Sequence, residues 1–438
     1  MKKTIKYWIF ISVLCASTIF LCFKQFKNNN WNRCISSDGK GYYAYLTAIF
    51  IYHDLQYNFV DDYEKKYYQP ENKVKFTVDY NNKKVNKYWL GTAVLMSPFF
   101  ALAHTVASLF NLPNDGYSFI YQVMIAVAAS FYLLLGLYFM RKLLLLYHCK
   151  EIEIFISLFA IVFATNLFYY TVAEPSMSHV YSFFVVSAFV YFAKKYFQTF
   201  NSKYLSYSVA SLAIIVLIRP SNGFVIFALP FLADDFNNLK KSYQAFNFKR
   251  LLPAFGAALL LLLMQLFFYK LSTGNFFVYS YGNEKFNFLN PHYYDFLFSY
   301  RRGMFVYAPL LLISLLGFIP LFNKSIYQTI ALLLFLFVMI YILSSWWMWF
   351  YGGGFGMRPV TDFYVFYVIL LALFIKFSFE KKWLKWISTI SIAICMFIAQ
   401  IQTYQKVNFI MPWDGMNKEI YWKIFLKTDK SYIGKYKA

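Results

Sequence analysis

The sequence predicts an all-α integral membrane protein, a polytopic helical bundle of about eleven transmembrane helices with a long first external loop. Of its 438 residues, 60% are hydrophobic and only 14% are charged. No water-soluble domain has an interior large enough to bury so much apolar surface, so lipid is expected to solvate much of it. Short clusters of lysine and arginine separate the apolar runs, and such clusters normally stay on the cytoplasmic side.

The net charge of +22 does not indicate a nucleic-acid partner. The basic residues flank the apolar runs and do not form one continuous stripe, which is the pattern that orients membrane spans. The five cysteines have neither metal-ligand nor redox spacing. We therefore expect membrane lipids as the surroundings and no nucleic acid as a partner.

The first span is predicted at residues 7–23, after Lys2 and Lys3. It has no convincing small-x-small cleavage site, so we expect it to be retained, with the N-terminus in the cytoplasm. Residues 24–116 then form the first external loop, with surface or re-entrant helices. Within it, Pro98, His104 and Pro113 make residues 88–110 a poor regular span, and we place them along the outer surface or as a re-entrant segment.

The remaining spans alternate so that every short basic loop falls on the cytoplasmic side. A break at residues 219–223 divides one apolar run into two short helices that form a hairpin. The polytopic domain thus covers residues 1–403, and residues 404–438 form a short external tail. The predicted apolar runs are 117–140, 152–172, 179–193, 204–232, 251–269, 303–322, 327–343, 361–377 and 387–403.

Asp38 is the first candidate for chemistry, in an external segment that contains Gly39 and Gly41. A carboxylate placed before a helix can act as a general base or bind a divalent metal ion. The simpler interpretation is that Asp38 caps the helix that follows, and for an isolated Asp-Gly pair that interpretation is favoured. The pattern after Gly41 predicts an amphipathic helix lying on the membrane.

Lys87 and Tyr88 open the ambiguous apolar run. Lys87 could contact a lipid phosphate as a point charge. Equally, it could be a snorkelling lysine beside the aromatic belt residue Tyr88.

Glu174 and His179 lie in a polar segment between two predicted spans. They could serve as an active-site carboxylate and imidazole, or could bind a metal ion together with Asp38, although the spacing is not a known metal motif. For Glu174 a helix-capping role is favoured, because Pro175 follows it. For His179 the two interpretations are balanced, and the identity of any metal cofactor is left open.

Two further external loops, residues 279–303 and 346–359, combine arginines with aromatic residues. Arginine binds phosphate oxygens through a two-pronged fork, and aromatic faces stack on sugars or flank an isoprenoid chain. Arginine on the external side opposes the usual charge bias, so a binding role is favoured over a simple aromatic belt. The candidate binding residues here are Tyr281, Lys285, Arg301, Arg302, Trp347, Trp349 and Arg358.

Taken together, these segments resemble the GT-C superfamily of integral-membrane glycosyltransferases, close to the bacterial family 39 protein-mannosyl, aminoarabinose-type and RgtA/B/C/D-like enzymes. The resemblance covers residues 5–400 and rests on Asp38 in the first external loop, on Lys87-Tyr88-Trp89 and on the alternation of spans with external loops. Many relatives carry a second acid near the first, where this chain has Gly39, and the Lys-Pro-Pro motif of one branch is absent.

The resemblance implies an enzyme of the bacterial inner (plasma) membrane with its active site on the extracytoplasmic face. The donor would be a sugar linked to polyprenyl phosphate, and the acceptor a hydroxyl of an envelope glycan, lipid or protein. One inverting displacement is implied, with Asp38 as general base. Arg301, Arg302, Lys87 and Arg358 are then the candidates for binding the departing phosphate.

Three other functions compete with this one. A flippase or transporter of lipid-linked sugars would need a polar path that reaches both faces of the membrane. An O-antigen polymerase or ligase commonly has its large loop late in the chain, whereas here the long loop comes first. A scaffold protein would leave Asp38 and the external arginines without a role.

Overall fold

A computed structural model describes residues 31–68 and 75–436. Within these residues the regular structure is helical except for one antiparallel pair of strands, β1 (Thr77–Tyr80) and β2 (Lys83–Asn86). The predicted span at residues 7–23 lies outside the described residues. The first helices are α1 (Gly39–Phe50), α2 (Val60–Tyr67), α3 (Gly91–Leu109), α4 (Phe119–Leu146), α5 (Glu151–Phe163), α6 (Leu167–Val172), α7 (Ser178–Thr199) and α8 (Ser202–Ile218).

A 3-10 helix at Pro220–Ala228 joins α8 to the second half of the chain. The helices that follow are α9 (Leu229–Leu232), α10 (Phe236–Gln244), α11 (Phe248–Thr273), α12 (Tyr293–Phe298), α13 (Met304–Tyr307), α14 (Pro309–Ser314), α15 (Phe318–Lys324), α16 (Ile326–Ser344), α17 (Tyr364–Ser378), α18 (Lys382–Val407) and α19 (Lys418–Ile424). Short 3-10 turns lie at Trp31–Arg33, Leu315–Gly317, Arg358–Phe363 and Lys430–Tyr432.

Six of the described helices are long and apolar enough to cross a membrane. Five of them are α3, α4, α11, α16 and α18. The sixth consists of α17 and the 3-10 turn directly before it, which together cover Arg358–Ser378. A span needs about 20 mostly apolar residues, which each of these provides or nearly provides. The protein is therefore a helical membrane-embedded protein, as the composition predicts.

Several predicted spans are not single helices. Residues 152–172 divide into α5 and α6, and residues 303–322 divide into α13, α14, α15 and a 3-10 turn. The structure therefore builds these two predicted spans from several short helices, and their crossing of the membrane stays a prediction. The predicted break in residues 204–232 is confirmed at Arg219, whose extended backbone has φ −150° and ψ 114°. Pro220 causes this break, because proline forces the preceding residue out of the helical conformation.

Residues 91–109 form one continuous helix, α3, with Pro98 inside it. The prediction that this segment would be irregular is therefore wrong. Proline removes one backbone hydrogen bond, and a long apolar helix packed against neighbours tolerates that loss. α3 packs against α1 and α4 and is apolar enough to cross. Its placement along the outer surface stays a prediction.

α1 exists where the sequence predicts a helix, but it has no exposed polar face over residues 39–48. Residues 39–48 are all buried within the protein, so the amphipathic prediction is wrong. Two glycines allow this close packing: a Cβ at Gly39 would lie 1.9 Å from Ser176 Oγ, and one at Gly41 would lie 2.4 Å from the Tyr88 ring. The start of α1 is thereby held between the Ser176 loop and Tyr88, which fixes the position of Asp38.

Candidate active site

Asp38 and Arg358 form an ion pair at the start of α1. Arg358 Nη2 lies 2.9 Å from Asp38 Oδ2, and the two side chains are 13% and 23% exposed. Asp38 occupies the N-cap position of α1, as the simpler interpretation predicts, but its side chain makes no hydrogen bond to the first turn of the helix. The structure therefore brings together one carboxylate and one guanidinium that the sequence singled out separately, at a site that solvent still reaches.

The surroundings of Asp38 favour its anionic form. Burial by itself raises the pKa of the carboxyl group, because it penalises the charged form. The charge of Arg358, a hydrogen bond from Tyr88 and the charges of Arg219 and Lys87 outweigh this effect. The net result is a pKa below the usual aspartate value, so Asp38 is ionised at neutral pH.

A second carboxylate, Asp362, organises the deeper wall of the site from the same 3-10 turn as Arg358. Asp362 accepts hydrogen bonds from His179 Nδ1 at 2.9 Å and from Asn222 Nδ2 at 2.7 Å. Arg219 Nη1 lies 3.7 Å from Asp362 Oδ2, the oxygen that Asn222 also bonds. Both Asp362 and His179 are completely buried, so His179 belongs to a hydrogen-bonded framework behind the Asp38 pair.

Arg219 reaches the site from the break between α8 and the following 3-10 helix. Its guanidinium donates to the hydroxyl of Tyr42 at 3.3 and 3.4 Å. The Tyr42 ring lies against Tyr88, with 4.5 Å between ring centres. Arg219 is 15% exposed and its charge acts on Asp38, which makes it a second cation beside the Asp38–Arg358 pair.

Four residues of this site were not singled out in advance as functional: Arg219, Asp362, Tyr42 and Asn222. Two signals were present. An arginine before a proline in the middle of an apolar run is unusual, and an aspartate within a predicted span generally marks function. Tyr42 and Asn222 carry no such signal, because their role depends on neighbours from distant parts of the chain.

Lys87 is held by the loop that follows α11. Its Nζ lies 2.5 Å from Glu284 Oε1, and its carbonyl accepts a hydrogen bond from Ser280. The Tyr281 ring centre is 5.4 Å from Lys87 Nζ. Lys87 is thus paired with a protein carboxylate, with 20% of its side chain exposed, and its charge contributes to the site of Asp38.

The paired arginines hold the C-terminal tail instead of facing Asp38. Arg301 forms two hydrogen bonds with Asp414, of 3.1 and 2.9 Å, and stacks on Phe350. Arg302 is completely buried and donates to the carbonyl groups of Gly352 and Trp413. Of the arginines that the sequence singled out, the structure pairs Arg358 with Asp38, and the other two serve to anchor chain segments.

The other predicted binding residues of these loops have surroundings that differ from one another. Tyr281 faces Lys87, whereas Lys285 is exposed and its carbonyl accepts a hydrogen bond from the backbone of Trp347. Trp347 is about half exposed, and Trp349 stacks on His292. Only Tyr281 among these four has an electrostatic interaction with Asp38.

Glu174 lies beneath the Asp38 pair. It is 4% exposed, its Oε1 accepts a hydrogen bond from the Tyr169 hydroxyl at 3.2 Å, and its Oε2 is buried without a hydrogen-bond partner. Its side chain does not cap α7, whose N-terminal flanking residue is Met177, so the capping interpretation is wrong. Burial raises the pKa of Glu174 above the usual value, although Arg358 and Lys406 oppose this.

The proposed metal ligands point to different partners. Asp38 pairs with Arg358, Glu174 bonds Tyr169, and His179 bonds Asp362. Within residues 31–68 and 75–436, no three His, Cys, Asp or Glu side chains form a cluster that could hold a metal ion. Asp38, Glu174 and His179 do not fit a shared metal site.

No model of a known protein family matches this sequence. A comparison with characterised proteins also finds no significant match. The function is therefore inferred from the arrangement of the side chains themselves.

Proposed function

We propose that the protein is a membrane glycosyltransferase that moves a sugar from a polyprenyl-phosphate donor to an acceptor hydroxyl on the extracytoplasmic face of the bacterial plasma membrane. The observation that carries this proposal is the solvent-accessible Asp38–Arg358 pair with Arg219 and Lys87 beside it. It combines a base with several fixed cations in a membrane-embedded protein. The proposal includes about eleven crossings, with the short basic loops in the cytoplasm.

Asp38 would act as the general base. The acceptor oxygen attacks the anomeric carbon from the side opposite the phosphate, and the bond between that carbon and the phosphate oxygen breaks. The phosphate leaves with the electron pair, and the acceptor proton passes to the Asp38 carboxylate. A base placed in this way typically contributes about 10²- to 10⁴-fold to the rate.

Arg358, Arg219 and Lys87 would bind the donor phosphate. Negative charge develops on the departing phosphate, and fixed cations near a low-dielectric boundary stabilise it most effectively. These three side chains are 13%, 15% and 20% exposed, so a ligand can reach them. Arg301 and Arg302 are assigned to anchoring the tail, because Arg301 pairs with Asp414, and Arg302 is completely buried and donates to the carbonyl groups of Gly352 and Trp413.

A transporter of lipid-linked sugars is the second candidate, favoured by the buried His179–Asp362 pair. Ionisable pairs within membrane bundles often move protons. Flipping of a fluorescent polyprenyl-phosphate sugar in proteoliposomes, without an acceptor, would support the transporter. Transfer that requires Asp38 would support the enzyme.

The test begins with mass spectrometry of envelope glycans, lipids and glycoproteins from a deletion strain, which identifies the missing sugar and its acceptor. Purified protein in nanodiscs is then assayed with that donor and acceptor. Asp38→Asn should reduce transfer about 10²-fold or more, because the base is removed. Asp79→Asn is the matched control, since Asp79 lies in the same predicted loop and its side chain is 74% exposed. Equal transfer by Asp38→Asn and the wild type would refute the assignment.

A further inference from the structure

Arg358 has two conflicting roles in the proposed reaction. In the structure its guanidinium is engaged with Asp38, at 2.9 Å. The reaction requires the same guanidinium for the phosphate and requires Asp38 as a free base. A carboxylate held by a guanidinium is a weak base, because the ion pair stabilises its deprotonated form. The ion pair with Arg358 therefore masks the base.

We propose that the donor phosphate displaces Asp38 from Arg358, so that binding of the donor itself releases the base. This inference rests on the proposed function and adds the order of events. Asp38 and a phosphate oxygen compete for one guanidinium, and the acceptor hydroxyl is activated only after the donor is seated. Arg358 thus first positions Asp38 and then, once the donor arrives, binds the phosphate.

The groups around Arg358 allow it to change partners. Tyr88 packs against the start of α1 at Gly41 and interacts with Asp38, so this contact remains after Arg358 leaves. Glu174 is buried nearby with one oxygen unpartnered, and its charge interacts with that of Arg358.

Arg219 supplies the second half of the phosphate site. Its distance of 3.7 Å from Asp362 exceeds the 2.7 to 2.9 Å of a strong charge-assisted hydrogen bond. Asp362 is already held by His179 and Asn222, at 2.9 and 2.7 Å. Arg219 can therefore bond an incoming oxyanion without disrupting the framework behind it. Arg219 approaches Asp362, which lies in the same 3-10 turn as Arg358, so the fold brings Arg219 to the turn that carries Arg358.

Competition between Asp38 and the phosphate for Arg358 predicts that Asp38→Asn strengthens phosphate binding while it abolishes sugar transfer. The Asp38→Asn protein should bind a short-chain polyprenyl phosphate about tenfold more tightly than the wild type, because a charged competitor for Arg358 is removed. The same protein should have lost sugar transfer. Binding is measured in nanodiscs, with the corresponding polyprenol, which lacks the phosphate, as the ligand control.

Two variants separate competition from a general charge effect. Glu419→Gln removes one negative charge from α19, where Glu419 pairs with Lys423 far along the chain, and should leave phosphate affinity unchanged. In an Arg358→Gln background, Asp38→Asn should no longer tighten binding. Tightening of similar size in that background would overturn the inference, because the effect would not pass through Arg358.

The remaining outcomes distinguish this inference from the proposed function. Equal affinity of the wild type and Asp38→Asn for the phosphate, with transfer still dependent on Asp38, would overturn the displacement alone. Absence of phosphate-dependent binding in every protein would overturn both. If Asp38→Asn does not fold, Asp38→Ser and a structure of the wild type with bound polyprenyl phosphate provide the test. That structure should show Arg358 on the phosphate, and an intact Asp38–Arg358 pair would refute the exchange.

Discussion

Replacing Asp362 by asparagine should destabilise the protein by about 2–4 kcal/mol. Asp362 is completely buried and accepts hydrogen bonds from His179 and Asn222, with Arg219 at 3.7 Å. Asparagine has nearly the same shape, and its amide nitrogen can donate to His179 Nδ1 once the imidazole proton moves to Nε2, so both close contacts persist without the charge. It isolates the electrostatic contribution of this carboxylate.

The magnitude follows from these contacts. A hydrogen bond to a charged group contributes about 1.5–3 kcal/mol and a neutral one about 1 kcal/mol, so neutralising two close bonds costs about 1–4 kcal/mol. Removing one partner of a fully buried ion pair costs about 3–5 kcal/mol. Because Arg219 is 15% exposed and its distance is long, only a small part of that cost applies here. The sum is then about 2–4 kcal/mol.

The assay is unfolding of the purified protein by SDS in mixed micelles, with the fluorescence of the tryptophans as the signal. Asp414→Asn is the matched control, because Asp414 and Arg301 form an ion pair whose side chains are 29% and 35% exposed. Exposed pairs of this kind contribute about 0–1 kcal/mol. If Asp362→Asn costs no more than Asp414→Asn, the carboxylate does not hold the framework together and the reasoning fails.

Three further predictions concern the groups around the site. Glu174→Gln should make the free energy of unfolding depend less on pH. The pKa of Glu174 is raised in the folded protein, so the native state binds more protons than the unfolded state and stability falls as pH rises from about 4.5. The same pH dependence of SDS unfolding in the wild type and in Glu174→Gln would contradict this. Arg302→Ala should lower the free energy of unfolding by about 3 kcal/mol and Arg301→Ala by about 1 kcal/mol, because of these two arginines only Arg302 is fully buried. SDS unfolding measures both values, and a larger loss for Arg301→Ala would be inconsistent with the structure. Gly41→Ala should lower transfer more than it lowers expression, because its Cβ would displace the Tyr88 ring; unchanged transfer would show that the position of Tyr88 is unimportant.

The sequence by itself determined the features that depend on short stretches of chain. Mean apolar character over about 20 residues is a local property, so the membrane class and most helix positions followed from it. The break at Arg219 was also local, because Pro220 acts on the residue directly before it. Asp38 and Arg358 could be singled out as candidates because polar residues are rare in this composition.

Only the tertiary structure decided which of these candidates meet. Charge attraction depends on the distance between atoms, and the packing of α1 against the Ser176 loop sets that distance for Asp38. The sequence did not rank the four candidate cations Lys87, Arg301, Arg302 and Arg358. In the folded protein Arg358 forms an ion pair with Asp38, whereas Arg301 forms one with Asp414. The sequence also left open whether lipid or protein surrounds α1. Lipid and protein interiors are both apolar, so the same pattern of side chains suits either one until neighbouring helices surround it.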